Sequence, residues 1–362
     1  MNINDIIIRI IIVFMAIGVI DKIFGNKFGY GAKFEEGITV MGTLSMSMIG
    51  AISLAPVLSN ILGPVIIPVY RSLGVDPSVF AGTLLPSDMG GYPLAVILAE
   101  DQRFISFSGV ILSTMMGSTI VFTIPVSLEI IREEDRIFLA KGILSGLIAI
   151  PAGAFIGGML IGLRVVEIIK NLGPIIVFSL LIVVGLNTMQ DKLIRGFIYF
   201  GKFITSLIII GLASIIIETL TGIVVIPGMA PLSDGVSAVG SVGIVLAGAY
   251  PLVYFLTKIL KRPLAKAGNI LGIGEVAMAG MIACLANNIP MLGMLKDMDD
   301  RGKVISVAFS VGASFVFGDY LGYVAAMDKD AISAMIAAKL TTGIVAVVIA
   351  KIMTKNYVSE NV

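Results

Sequence analysis

Residues 84–93 read LLPSDMGGYP. Two prolines, two glycines and one carboxylate, Asp88, stand there inside a stretch that is otherwise apolar. Proline removes a backbone donor and clashes with the preceding turn, so Pro86 and Pro93 bracket a break in any helix drawn through this segment. If the segment lies in a membrane, the freed backbone groups need protein, water or a ligand as partners, because hydrocarbon offers none. The rest of the chain has to say whether it does.

Of the 362 residues, 57% are hydrophobic and only 14% are charged, and the mean hydropathy is +1.04. Ordinary soluble domains carry about 25% charged residues. Apolar runs recur at 6–20, 105–129, 137–163, 172–188 and 203–227, on the scale of the ~20 residues a helix needs to cross a bilayer. The fold class read from this is an all-α polytopic membrane protein. The first run contains Arg9 and no small-residue cleavage site follows it, so it reads as a retained span and not as a removed signal. The single cysteine, Cys284, forbids an intrachain disulfide. The chain has no histidine, which removes the commonest metal ligand and proton relay. No phosphate loop is present and the net charge is +1, so no cofactor, metal or nucleic-acid partner is expected.

The chain also matches itself. Residues 16–25 (AIGVIDKIFG) lie over 213–222 (ASIIIETLTG), 42–58 over 240–256, 73–82 over 271–280, and 145–150 over 342–347, always 197 or 198 positions apart. Each match is weak, but their common register predicts a duplicated unit. Repeat 1 is placed at 1–163, a linking span at 164–197, and repeat 2 at 198–362 with a short C-terminal tail.

Lys and Arg concentrate on the cytoplasmic side of membrane proteins. The loop after span one holds Lys22, Lys27 and Lys33, whereas its repeat partner holds none. Past span two the bias reverses, with Arg71 alone set against Lys258, Lys261, Arg262 and Lys266. Such a flip is what inverted repeats require. With 76–100 and 274–296 taken as re-entrant half-helices, eighteen Lys and Arg fall on one side. Six fall on the other (Arg9, Arg71, Arg103, Arg164, Lys170 and Lys329), with Lys339 inside a span. This predicts an N-out, C-in topology with 9 to 13 spans.

Inverted repeats with helices interrupted at corresponding places mark secondary transporters, whose substrates bind where the half-helices meet near the midplane. The first break offers Asp88 and Tyr92. The second, CLANNIPMLG at 284–293, offers Asn287 and Asn288. A third feature, SFVFGDYLGY at 314–323, places Asp319 and Tyr320 in what reads as an apolar span. An ionisable residue at membrane depth costs about 2.5–3.5 kcal/mol and is a functional-site hypothesis by default. Each has a structural alternative. Asp88 could only cap the second half-helix through the amides of Met89, Gly90 and Gly91. Asp319 could be a polar contact between spans. Asn287 and Asn288 could satisfy broken backbone, and the two tyrosines could be packing aromatics. Among the other carboxylates, Asp21 and Glu218 read as interfacial. Glu35, Glu36, Asp76 and Glu275 read as anions placed at helix starts. The glycine-rich stretches 153–162 and 240–250 allow close helix packing, within the chain or against a second copy in a homo-oligomer.

The chain resembles the ethanolamine-utilisation permease family of bacterial inner-membrane proteins, essentially end to end. The resemblance rests on FEEG (34–37), LGPVIIPVY (62–70), DMGG (88–91), MMGSTIVFTIPV (115–126), LANNIPM (285–291), RGKV (301–304) and GDYLG (318–322). One departure is Tyr320, where the family pattern carries histidine after the Gly-Asp pair. The resemblance implies uptake of ethanolamine across the bacterial cytoplasmic membrane for breakdown by an ammonia-lyase. The residues suit that cargo. A carboxylate such as Asp88 or Asp319 can pair with its ammonium, aromatic faces add cation–π attraction, and the amides of Asn287 and Asn288 can hold its hydroxyl.

Three other readings compete. The cargo could be another small amine or polar metabolite, moved with or without ion coupling. Two membrane aspartates could serve an intramembrane aspartyl protease, but the Gly-x-Gly-Asp signature is absent because Val316 occupies its first glycine position. A non-transporting sensor lacks an output domain in this sequence.

Overall fold

The computed structural model of the protein describes residues 3–355; for 187, 191, 260–267, 269 and 270 it describes the backbone alone. The predicted C-terminal tail at 356–362 lies outside the described residues, as do the side chains of Lys261, Arg262 and Lys266. Helices and turns make up the described chain, and no strand occurs among the described residues. This is the all-α class the composition demands, because a helix satisfies its own backbone in lipid.

Eight helices among the described residues are long and apolar enough to cross a membrane by length and composition. The first is α1, Ile3–Ile23. Next, α2 (Tyr30–Thr39) runs almost directly into α3 (Met41–Ser72). Glu35 and Glu36 therefore sit past the first turn of the ten-residue α2, near the start of the membrane-scale segment Tyr30–Ser72. They pair with Lys22 and Lys33. The half-helices α4 (Val79–Leu84) and α5 (Gly91–Leu98) follow, then α6, Gln102–Ile130. α7 is Arg136–Leu160, α8 Val165–Thr188, α9 Gln190–Thr221 and α10 Leu232–Leu271. A second pair of half-helices, α11 (Glu275–Cys284) and α12 (Asn288–Met294), leads to α13 (Asp300–Ala313), α14 (Asp319–Met327) and α15 (Ile332–Met353).

On either side of α8 the elements run in the same order: a long helix, a second long helix, two half-helices, and two further membrane-scale segments. The two halves differ at two places, the first being the short α2 that only the first half carries between its two long helices. At the second, α6 is continuous from Gln102 to Ile130, while its counterpart is split into α13 and α14. The SFVFGDYLGY stretch is thus a third break, where the sequence read as an unbroken span.

Among the described residues two large apolar cores hold the molecule, with a smaller one at the first half-helix pair around Ala81, Leu94 and Ala95. One large core is built where α7 packs along α6, α8, α13 and α15, and includes Phe107, Ile111, Leu147 and Val307. The other gathers α1, α2, α3 and α14 around α10, and includes Leu246, Val316 and, from α15, Met335. Small residues let these helices touch. A Cβ on Gly153 of α7 would lie 2.2 Å from the Ala338 carbonyl oxygen, and one on Gly248 of α10 would lie 2.3 Å from that of Ile11.

Polar contacts link several of the loops into two groups. In one, Asn4 donates to the Asp330 carbonyl (2.7 Å) and accepts from the Ser333 amide (3.0 Å). In the same group Ser106 donates to Asp328 (2.6 Å), Arg103 bridges Asp101 (2.7 Å) and Glu167 (3.5 Å), and Arg71 pairs with Glu100. In the other, Lys303 pairs with Asp135 (2.7 Å), Gln190 reaches the Arg136 carbonyl (3.5 Å), and Gly274 donates to Asp299 (2.9 Å).

Each half-helix pair is clasped by one aspartate. The Asp76 carboxylate accepts from the Ser78 amide (2.9 Å) and hydroxyl (2.5 Å) with one oxygen, and from the Glu100 amide (3.0 Å) with the other. It thereby ties the entry of α4 to the exit of α5. Asp299 accepts from the amides of Gly274 and Gly302, both at 2.9 Å, and ties the entry of α11 to the start of α13. Asp76 is therefore a clasp as well as an anion near a helix start.

Candidate functional site

The first break is a turn whose backbone closes on itself. α4 ends at Leu84, and Leu85 is extended (φ −119°, ψ 139°). The carbonyl of Pro86 then accepts from the amides of Met89 (3.1 Å) and Gly91 (2.8 Å). Gly90 takes a left-handed conformation, φ +105°, which costs glycine little, and α5 starts behind it. The Ser87 hydroxyl anchors the turn by donating to the Gly109 carbonyl of α6 (2.7 Å). Asp88 makes no capping bond to α5. The capping alternative is thus not what this geometry uses, and the half-buried carboxylate remains at the cavity wall.

The second and third breaks satisfy each other. The amides of Phe315 and Phe317 donate to the carbonyls of Cys284 (2.9 Å) and Leu285 (3.0 Å), a short ladder between two irregular strands of backbone. This supplies the partners that interrupted helices require in lipid. Gly318 is needed for the approach, because a Cβ there would stand 2.0 Å from the Ala286 carbonyl oxygen. Phe315 adopts a left-handed conformation, φ +60°, which is uncommon for a bulky residue and concentrates at functional sites.

The first and third breaks enclose a small cavity of about 50 Å³, lined by Pro86, Asp88 and Met89 from one and by Phe315, Asp319 and Tyr320 from the other. Phe122 of α6 completes the wall. Phe315 stacks edge-on against both Phe122 (5.7 Å) and Tyr320 (5.6 Å). The hydroxyl of Tyr250, from α10, donates to Asp319 at 2.5 Å. Among the described residues, neither Asp88 nor Asp319 forms an ion pair. The result is a pocket with two carboxylates and aromatic walls. A single water needs about 10–15 Å³ of such space, so the pocket suits a solute of a few heavy atoms.

The structure therefore brings Asp88, Asp319 and Tyr320 together. Tyr92 lies elsewhere. It lines a larger cavity of about 690 Å³ with Gln102, Arg103, Ser106 and Asp328, where its hydroxyl donates to the Met327 carbonyl (3.1 Å). Its ring meets that of Tyr323 edge-on at 6.1 Å. Tyr320 and Tyr323 are one turn apart on α14, a spacing that places them on one helix face. They stand between the small cavity and Tyr92. Burial pushes the Asp328 carboxyl, in the turn after α14, above the usual carboxylate range, while the Ser106 hydroxyl pulls it the other way.

The two asparagines serve the second break. Asn287 caps α12 by accepting from the Ile289 amide (2.9 Å). Asn288 is fully buried, and its amide donates to the Thr123 hydroxyl (3.3 Å) while its side-chain oxygen is left without a partner. Two further residues near the cavity are not among the sequence candidates. Tyr250 lies far from the breaks along the chain. Lys339 reads there only as a cation inside a span.

Comparison with known proteins came to the same place as the motifs. A family model described as "Ethanolamine utilisation protein, EutH" matches residues 3–353. The chain is 51% identical over 361 residues to the "Probable ethanolamine permease EutH" of Listeria monocytogenes, covering 100% of this chain and 97% of that protein. It is 48% identical over 354 residues to the "Uncharacterized protein YxeR" of Bacillus subtilis, with 98% and 96% covered. It is 43% identical over 391 residues to the "Probable ethanolamine permease EutH" of Salmonella typhimurium, again with 98% and 96% covered. No solved structure matches the chain. A match that runs nearly end to end, at 51% identity to one relative, leaves one conclusion: the chain belongs to the ethanolamine utilisation protein family EutH.

Proposed function

We propose that this protein is a multi-pass permease of the bacterial inner membrane that takes up ethanolamine as its protonated cation. One observation carries the reading: Asp88 and Asp319, without a paired cation among the described residues, share a cavity of about 50 Å³ with the ring of Tyr320. Ethanolamine has four heavy atoms, one ammonium and one hydroxyl. Its charge meets a carboxylate in low dielectric, where the attraction is strong, and an aromatic face adds to it. Relatives named as probable ethanolamine permeases support the cargo.

Transport proceeds by alternating access between two inverted repeats, 1–163 and 198–354, joined by α8. The matching order of elements on either side of α8 supports this. So do the two groups of linked loops, whose members share predicted sides. N-out and C-in is the orientation the Lys and Arg bias favours. In that frame the larger cavity beside Arg103 is the outer approach. Tyr92 and Tyr323 stand between it and the carboxylates.

The test is uptake of labelled ethanolamine into proteoliposomes, with external pH stepped from acidic to alkaline and empty liposomes as control. Protein-dependent uptake in acid, where little neutral amine leaks, is the expected result. Uptake equal to that of empty liposomes at every pH overturns it.

A second reading is ion-coupled transport of another small amine or polar metabolite. The favouring observation is that Tyr250 holds Asp319 (2.5 Å) while Asp88 caps nothing. The two carboxylates could then divide between substrate and coupling ion. Competition by choline, alanine and propanolamine, with and without a sodium or proton gradient, separates the two.

A further inference from the structure

Lys339 is the charged group that the proposed transport leaves unused. It sits on α15, within the membrane-scale segment, and is 0% exposed. Its Nζ donates to the Thr114 carbonyl at 2.7 Å. Thr114 belongs to the part of α6 that is wound as a π-helix, Ile105–Gly117, a rare form that recurs at functional sites. The same Nζ stands 5.0 Å from the centroid of the Tyr320 ring. A carbonyl dipole and an aromatic face are both partners that favour an ammonium over a neutral amine. Among the described residues no carboxylate lies within ion-pairing distance of it.

Tyr320, whose ring this ammonium faces, lines the cavity of Asp88 and Asp319, and Lys339 itself does not. We propose that Lys339 is a specificity-determining residue: its tethered charge behind Tyr320 offsets one of the two cavity carboxylates and tunes the site to a solute carrying a single positive charge. Two carboxylates and one ammonium leave one net negative charge, which one monocation neutralises. Without Lys339 the site carries two negative charges and accepts a dication. The inference rests on the cavity being an amine site.

The matched probes are ethanolamine and ethylenediamine. Each has four heavy atoms, and in mildly acidic buffer the first carries one charge and the second two. Binding is read from the thermal shift each gives to the purified protein in detergent, and from competition against uptake. The wild type is expected to prefer ethanolamine. Lys339→Met is expected to shrink that preference by about tenfold or more, the effect of one charge on the order of 10 Å away at an effective dielectric of about 20. Lys339→Arg, which keeps the charge, is expected to retain it. An unchanged preference in folded Lys339→Met overturns the proposal and means that Lys339 sits there uncharged. If that variant does not fold, the wild type alone still decides, because equal binding of the two amines overturns the proposal. Wild-type binding that prefers ethanolamine without any uptake sinks the transport reading and leaves this one standing. Binding of neither amine sinks both.

Discussion

Asp88 and Asp319 face one cavity with no ion-paired cation among the described residues. Two carboxylates placed so are costly at membrane depth, and a cationic solute relieves the cost. Asp88→Asn should leave the protein folded and reduce ethanolamine uptake by on the order of 100-fold, since removing one partner of a buried charge contact costs about 2–5 kcal/mol. Normal uptake by a well-expressed variant would remove Asp88 from the site. Tyr250→Phe deletes the 2.5 Å bond to Asp319. A hydrogen bond to a charged group is worth about 1.5–3 kcal/mol, so half-saturation should rise by about tenfold. Tyr92 calls for a different outcome, because it lines the larger cavity and bonds the Met327 carbonyl. Tyr92→Phe should change the maximal rate of uptake and leave half-saturation nearly unaltered. A changed half-saturation with an unchanged rate would place Tyr92 at the substrate instead.

At the scale of elements, the fold depends on breaking helices and then satisfying the breaks. The prolines and glycines of LLPSDMGGYP announce the first break, and Pro290 with the two asparagines announces the second. The third is only faintly marked, because Phe315, Val316 and Phe317 continue an apolar run, no proline interrupts it, and Gly318 alone hints at a break. It exists because the amides of Phe315 and Phe317 find carbonyls on the second break, a pairing between segments distant in the chain. Gly318→Ala would force a methyl to within 2.0 Å of the Ala286 carbonyl oxygen. It should destabilise the protein by about 1–3 kcal/mol, the usual cost of overpacking, measured as a lowered melting temperature with reduced uptake. The clasp at Asp76 carries three hydrogen bonds. Asp76→Ala should cost about 1–2 kcal/mol, on the scale of a lost helix cap. Asp299→Ala, with two such bonds, should cost somewhat less. Melting temperatures unaltered by both would show the clasps to be passive.

For the whole molecule, sidedness is the property most open to test. Cysteines placed at Arg103 or Lys329 should react with an impermeant thiol reagent from outside intact cells, and those at Glu133 or Asp300 only after permeabilisation. Cys284 is buried and should stay silent in either case. The reverse pattern would overturn N-out. What the sequence determined by itself follows from local chemistry. Apolar composition in runs of membrane length required helices that span a bilayer, prolines and glycines required two breaks, and a carboxylate inside one of them required a reason. Three of the six candidate residues, Asp88, Asp319 and Tyr320, line one cavity. What the tertiary structure decided depends on contacts between segments far apart in the chain. It sent Tyr92 to another cavity, spent Asn287 on a cap, and gave Asn288 to Thr123. It packed Gly153 and Gly248 against helices of the same chain, where the glycine pattern alone allows a second copy equally well. It also drew Tyr250 and Lys339 to the cavity from α10 and α15. A break, a span or a buried charge is written in a few neighbouring residues. Its partner is chosen by how whole helices pack, and no local pattern records that choice.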